Sequence, residues 1–137
     1  MIGLRLTGLA EGTVEWAELD GLDGGVVDAA EVAEGAVGTA VPVASLLAEF
    51  SIDPAASHCS VVSRDGAYIA SIPIDDLRAG GWLAYALSGV PLPAKHGGPL
   101  RLTVAQGDTL CWNVKDVGEL RFTAGKEPDN VPKNPTH

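Results

Sequence analysis

Residues 82–105 read WLAYALSGVPLPAKHGGPLRLTVA. The first eight form an apolar run that stops at Gly89, which predicts a strand followed by a turn. The last six, LRLTVA at 100–105, alternate apolar and polar residues and predict the best-defined strand of the chain. Between them lies a turn built on HGGP. A loop of this kind needs no cationic groups, yet His96 and Arg101 flank it in a chain with 9 Lys and Arg against 18 Asp and Glu. Gly97 and Gly98 admit backbone conformations barred to other residues and let a ligand approach the main chain. Arg101 offers a planar fork of donors suited to phosphate or carboxylate. His96 can donate from its ring, and Lys115, on the next apolar segment LCWNVKDV, reaches the same place if the two segments pair. These residue types point to an anion site. Spacing alone favours the plainer reading, a Gly-Pro turn edged by solvated cations.

Near the start, IGLRLTG, from residue 2, alternates, ends at a glycine and predicts a short strand. TVEWAEL at 13–19 fits either a strand or the first turn of a helix. VVDAAEV, between glycines, reads as a strand with outward-facing acids. VPVASLLAEF at 41–50 changes period. With Pro42 in the first turn, Val43, Leu46, Leu47 and Phe50 fall on one helical face. HCSVVSRDGAYIASIP predicts a hairpin with Asp65-Gly66 at its tip. IPIDDLRAG at 72–80 predicts a short helix begun near Pro73 and stopped by Gly80-Gly81. ELRFTA supplies a last strand. The order is mostly strands with a few short helices, an α+β (mixed α/β) chain. Residues 1–124 are expected to form one domain, and 125–137, with three prolines, an extended or disordered arm.

A chain of 137 residues can bury one real core. With only 5% aromatics, that core must come from Val, Leu, Ile and Ala. The net charge of −9 argues against nucleic acid or an anionic membrane as the main partner. The two cysteines, Cys59 and Cys111, lie in no metal-ligand spacing and are expected to be free, buried thiols. No leader or long apolar span is visible, so the expected compartment is the reducing cytoplasm. No nucleophile elbow occurs. Asp53, Asp75 and Asp76 read as turn and helix-start residues, and His58 and Cys59, as strand neighbours, point to opposite faces.

Taken together, DGAYIASIPIDDL (65–77), WLAYALSGVPLPAKHGGPLRLTV (82–104) and the VK of NVKDV (113–117) resemble the molybdopterin-binding domain of the sulfite oxidase family. VPVASLL at 41–47 resembles the helix start of that family, and the likeness extends over residues 38–123. It implies a mixed α/β fold that holds a pterin cofactor by its phosphate. The family's contacts fall here on His96, Arg101 and Lys115, with a further one from the hairpin at Ser63 or Asp65. The resemblance also implies a cysteine ligand to molybdenum about a dozen residues before the VPVASLL helix. That place falls near Asp28, whose carboxylate is a hard oxygen ligand. The family's thiolate is therefore missing, and sulfite-oxidising chemistry does not carry over with the fold.

Three readings follow. The first is an oxidoreductase-like domain gripping molybdopterin, the molybdenum cofactor. The second is a metal-free relative that binds another small anion or runs unrelated chemistry. The third is an accessory subunit with a protein partner in a larger redox complex.

Overall fold

The structure, a computed structural model, describes residues 3–22, 25–32, 36–105 and 112–128. Cys111, His137 and residues 129–137 of the expected arm lie outside the described residues. Among the described residues ten strands form two sheets: β1 (Gly3–Gly8), β2 (Gly12–Glu15), β3 (Val27–Asp28), β4 (Thr39–Pro42), β5 (His58–Ser63), β6 (Ile69–Pro73), β7 (Gly81–Leu87), β8 (Val90–Pro91), β9 (Arg101–Val104) and β10 (Val117–Thr123). The first sheet runs β2-β1-β10-β5-β6. Its β1 and β10 pair in parallel, Leu6 opposite Leu120, so both ends of the described chain are fixed in one sheet. The second runs β3-β4-β7, with β8 and β9 both paired to β7.

Alternation decides which side of each sheet is buried. Leu4, Leu6, Cys59, Val61, Ile72, Leu120 and Phe122 turn inward from the first sheet, and Val41, Leu83, Tyr85 and Leu102 from the second. They share one core, and each such side chain contributes roughly 1.5–3 kcal/mol on burial. Ala29, Ala40, Ala84 and Leu92 make a smaller cluster of their own.

Among the described residues two α-helices join the sheets. α1 (Val43–Leu47) and α2 (Ile74–Gly80) pack on each other and on β7. Both begin after an extended proline, Pro42 and Pro73, which stands at the cap position, one residue before the expected first turn. Val43, Leu46 and Leu47 are buried as their spacing predicts, while Phe50 lies beyond the helix, half-buried against the core. The ambiguous 13–19 stretch is both things in turn: β2 ends at Glu15 and a 3-10 helix covers Trp16–Gly21. The Trp16 indole N–H donates to the Tyr85 carbonyl at 2.5 Å, and the Tyr85 hydroxyl donates to Asp20. Burial, and then the Asp20 contact, push the Tyr85 phenol up from its ordinary pKa. VVDAAEV makes less strand than its pattern suggests. The Asp28 carboxylate accepts from the Ala30 N–H at 3.0 Å and starts a 3-10 turn over Ala29–Glu31, ending the ladder after two residues.

Candidate functional site: a cationic turn

β8 and β9 pair with successive parts of β7: Pro91 opposite Ala86, then Arg101 opposite Ala84. They run in the same direction. Residues 92–100 are therefore an excursion within one return path, not the tip of a hairpin. Its backbone is well bonded. The Pro93 carbonyl accepts from the N–H groups of His96 (2.9 Å) and Gly98 (3.0 Å), and the Ala94 carbonyl from Gly97 (2.9 Å). The 3-10 turn Ala94–His96 ends at Gly97, whose φ of +90° lies in the left-handed region.

The segment carrying Lys115 is zipped to this excursion. Leu102 and Val114 exchange N–H···O bonds of 2.8 and 3.0 Å, Asp116 N–H donates to the Gly97 carbonyl at 2.8 Å, and Val117 N–H to Leu100 at 2.8 Å. The pairing on which the sequence argument depended is present. A methyl group at Gly97 would sit 2.8 Å from Arg101 Cδ and 3.0 Å from Lys115 Cγ. The stems of the two cations thus converge over Gly97, which has no side chain. His96 contributes its carbonyl, which accepts from Arg101 Nη1 at 3.4 Å.

Arg101 is only half-exposed, and its Nε–H is buried with no hydrogen-bond partner; among the described residues only the Ser60 hydroxyl shares that condition. An unpaired donor on a charged group is costly in a folded protein. An anion seated against it would satisfy it.

Ser63 and Asp65 sit at the β5–β6 tip, and their side chains serve the turn. Ser63 Oγ donates to Asp65 Oδ1 at 2.6 Å, and Asp65 Oδ1 also accepts from the Ala67 N–H at 2.9 Å. The Ser63 bond, then the Ala67 bond, hold the Asp65 carboxyl below its ordinary pKa. The tip reaches the cationic turn through Arg64, a residue that sequence spacing did not single out. Its Nε donates to Asp116 Oδ1 at 2.5 Å across a separation of 52 residues, a distance no local pattern encodes.

Asp28 lies at the far edge of the second sheet. β4 and β7 separate its strand from β9, which puts them about 14 Å apart across three strand spacings. Among the described residues no group of three or more His, Cys, Asp or Glu side chains could hold a metal ion. Cys59 is buried at 0% exposure, and burial, then the charge of Glu119, push its thiol up. It presents no thiolate to a ligand.

A groove of about 570 Å³ also opens on the outer face of the first sheet, by Arg5, Arg64 and Arg121. Its lining carries as many acids as arginines, with Glu15, Asp65 and Glu119 opposing them, so it has no net attraction for an anion.

The two sheets, and the cationic excursion set between β8 and β9, place the chain in a class: mixed α/β domains of the sulfite oxidase type. Residues 13–131 match the family described as the oxidoreductase molybdopterin binding domain, and the chain belongs to that family. Among solved structures it is similar to the sulfane dehydrogenase SoxCD from Paracoccus pantotrophus, with a TM-score of 0.66 at 21% sequence identity. The likeness covers 91% of this chain and 39% of that one, so this chain spans well under half of its length. No curated protein matches the sequence. No described helix is long and apolar enough to cross a membrane.

Proposed function

We propose that the cationic turn grips the phosphate of a molybdopterin cofactor, with His96, Arg101 and Lys115 as the residues of the grip. The observation that carries this reading is the buried, unpartnered Nε–H of Arg101 beside Gly97, where the Lys115 stem also converges. The donor set suits a phosphate: a guanidinium fork, an ammonium and an imidazole, supplied by side chains, since Gly97 and Gly98 are buried and their N–H groups are already bonded within the turn. Bound there, the cofactor supplies two-electron redox chemistry at its metal. The chain's own part is to bind and orient the phosphate end. Arg101, held half-buried, fixes direction, and exposed Lys115 adds charge. Ser63 and Asp65, the further contact the resemblance implies, bond each other and shape the hairpin tip.

The metal end fits less well. The family's thiolate position falls near Asp28, whose carboxylate caps Ala30 N–H at the opposite edge of the sheet. That observation favours a second reading, a relative that keeps the grip and uses it for another small phosphorylated ligand. A protein partner in a redox complex is compatible with either reading.

The test is the pterin and molybdenum content of protein made in a cofactor-competent, molybdenum-replete host. Wild type should retain pterin, and Arg101→Ala and Lys115→Ala should each lose most of it. Pterin retained equally by both variants overturns the grip. A wild type free of pterin that still binds inorganic phosphate at the Gly97 and Lys115 amides selects the second reading.

A further inference from the structure

Arg64 is tied to the Lys115 segment at three points. Its main-chain N–H donates to the Asp116 carbonyl at 2.8 Å. Its Nε donates to Asp116 Oδ1 at 2.5 Å. Its side chain lies over Gly118, where a methyl group would come within 2.7 Å of Arg64 Cγ. Gly118 therefore leaves a seat for this arginine at the irregularity where β10 departs from regular pairing with β5. Asp116, held from both its carbonyl and its carboxylate, has a φ of +52°, a conformation an L-residue adopts at a cost. Its own N–H donates to Gly97. The left-handed residue thus reverses the chain directly after Lys115 and leaves the lysine stem over the glycine.

We infer that Arg64 is a positioning residue for the anion grip: through Asp116 it holds Lys115 over Gly97. This rests on the grip reading above. Arg64 is about half-exposed and touches none of His96, Arg101 or Lys115 in the bonds described, so it acts through the backbone turn and not by its own charge on the ligand.

The experiment is a chemical-shift titration of the intact chain with inorganic phosphate, followed at the Gly97 and Lys115 amides. Arg64→Ala should weaken phosphate about fivefold, a coupling of ordinary size for contacting groups. Arg64→Lys, which keeps the charge but not the Nε geometry, should recover only part of that. In a Lys115→Ala background, Arg64→Ala should have no further effect. Arg78→Ala, which removes an exposed cation on α2, should change affinity less than twofold. Equal weakening by Arg64→Ala in both backgrounds overturns the inference, because Arg64 would then act by charge or by general stability. So does an unchanged affinity in Arg64→Ala while Lys115→Ala alone weakens binding. Absence of any phosphate response in wild type is a different failure and removes the grip itself. Asp116→Ala removes the acceptor for Arg64 Nε, keeps the main-chain N–H and carbonyl, and gives the same comparison should Arg64→Ala fold poorly.

Discussion

Gly97 carries two constraints at once, and they separate in an experiment. Its φ of +90° disfavours any L-residue by roughly 1–2 kcal/mol. Its missing side chain also leaves room for the stems of Arg101 and Lys115, 2.8 and 3.0 Å from where a methyl would sit. Gly97→Ala should therefore do more than lower stability. A loss of about 1–2 kcal/mol in a domain of this size lowers Tm by roughly 4–8 °C. The stems must also move apart, and phosphate affinity should fall about tenfold if the two cations act together on one anion. Thermal melts and the phosphate titration measure the two effects separately. A lowered Tm with unchanged affinity would mean the stems settle elsewhere without consequence, which would reduce Gly97 to a turn residue.

At the scale of elements, β10 sits at the centre of the first sheet and carries an acid, Glu119, on the outer face. Thr7 Oγ1 donates to it at 2.7 Å, Arg121 Nε at 3.2 Å, and Arg5 Nη2 lies 3.6 Å away. Partial burial pushes its pKa up, but the Thr7 and Arg121 bonds and the two positive charges outweigh that, and the carboxyl ends below its ordinary value. The sign follows. A carboxyl with a depressed folded pKa adds stability that is complete above its unfolded value, near 4.3, and lost as pH falls through the folded one. Glu119→Gln should lower Tm at pH 7 by a few degrees, consistent with ion pairs worth about 1 kcal/mol together. The gap from wild type should close between about pH 5 and pH 3. A gap of constant size down to pH 3 would contradict the assignment. The element scale is also where sequence was most informative. The β5–β6 hairpin, β7, β9 and both short helices follow from alternation, Asp-Gly and proline placement. What escaped was set by competition and by distance. Asp28 spends its side chain on a cap and cuts its strand short, an outcome two local patterns contest. The nearness of His96, Arg101 and Lys115 was legible because two flank one turn and the third follows on the next segment. Arg64 and Asp116 were not, because their bond spans the chain from hairpin tip to last strand.

For the whole molecule the decisive quantity is the contrast between a net charge of −9 and a turn that gathers cations. An incoming phosphate meets repulsion from the protein as a whole and attraction only within a few ångströms of Arg101 and Lys115. These act over different ranges, so salt should affect them differently. The Debye length falls from about 30 Å at 0.01 M to about 10 Å at 0.1 M. The first value exceeds the radius of a domain this small, whose radius of gyration is roughly 14 Å, and the second does not. Added salt therefore removes most of the long-range repulsion. It weakens the contact attraction much less, because Arg101 is partly buried and buried groups are screened less. Phosphate affinity should tighten a few-fold over this range, opposite in sign to a protein that binds anions through a broad basic face. The salt must be one whose anion binds weakly, so that competition at the turn does not mimic weakening. Titrations at both ionic strengths decide the matter. Affinity that falls with salt would place the anion on fully exposed cations, away from the partly buried Arg101.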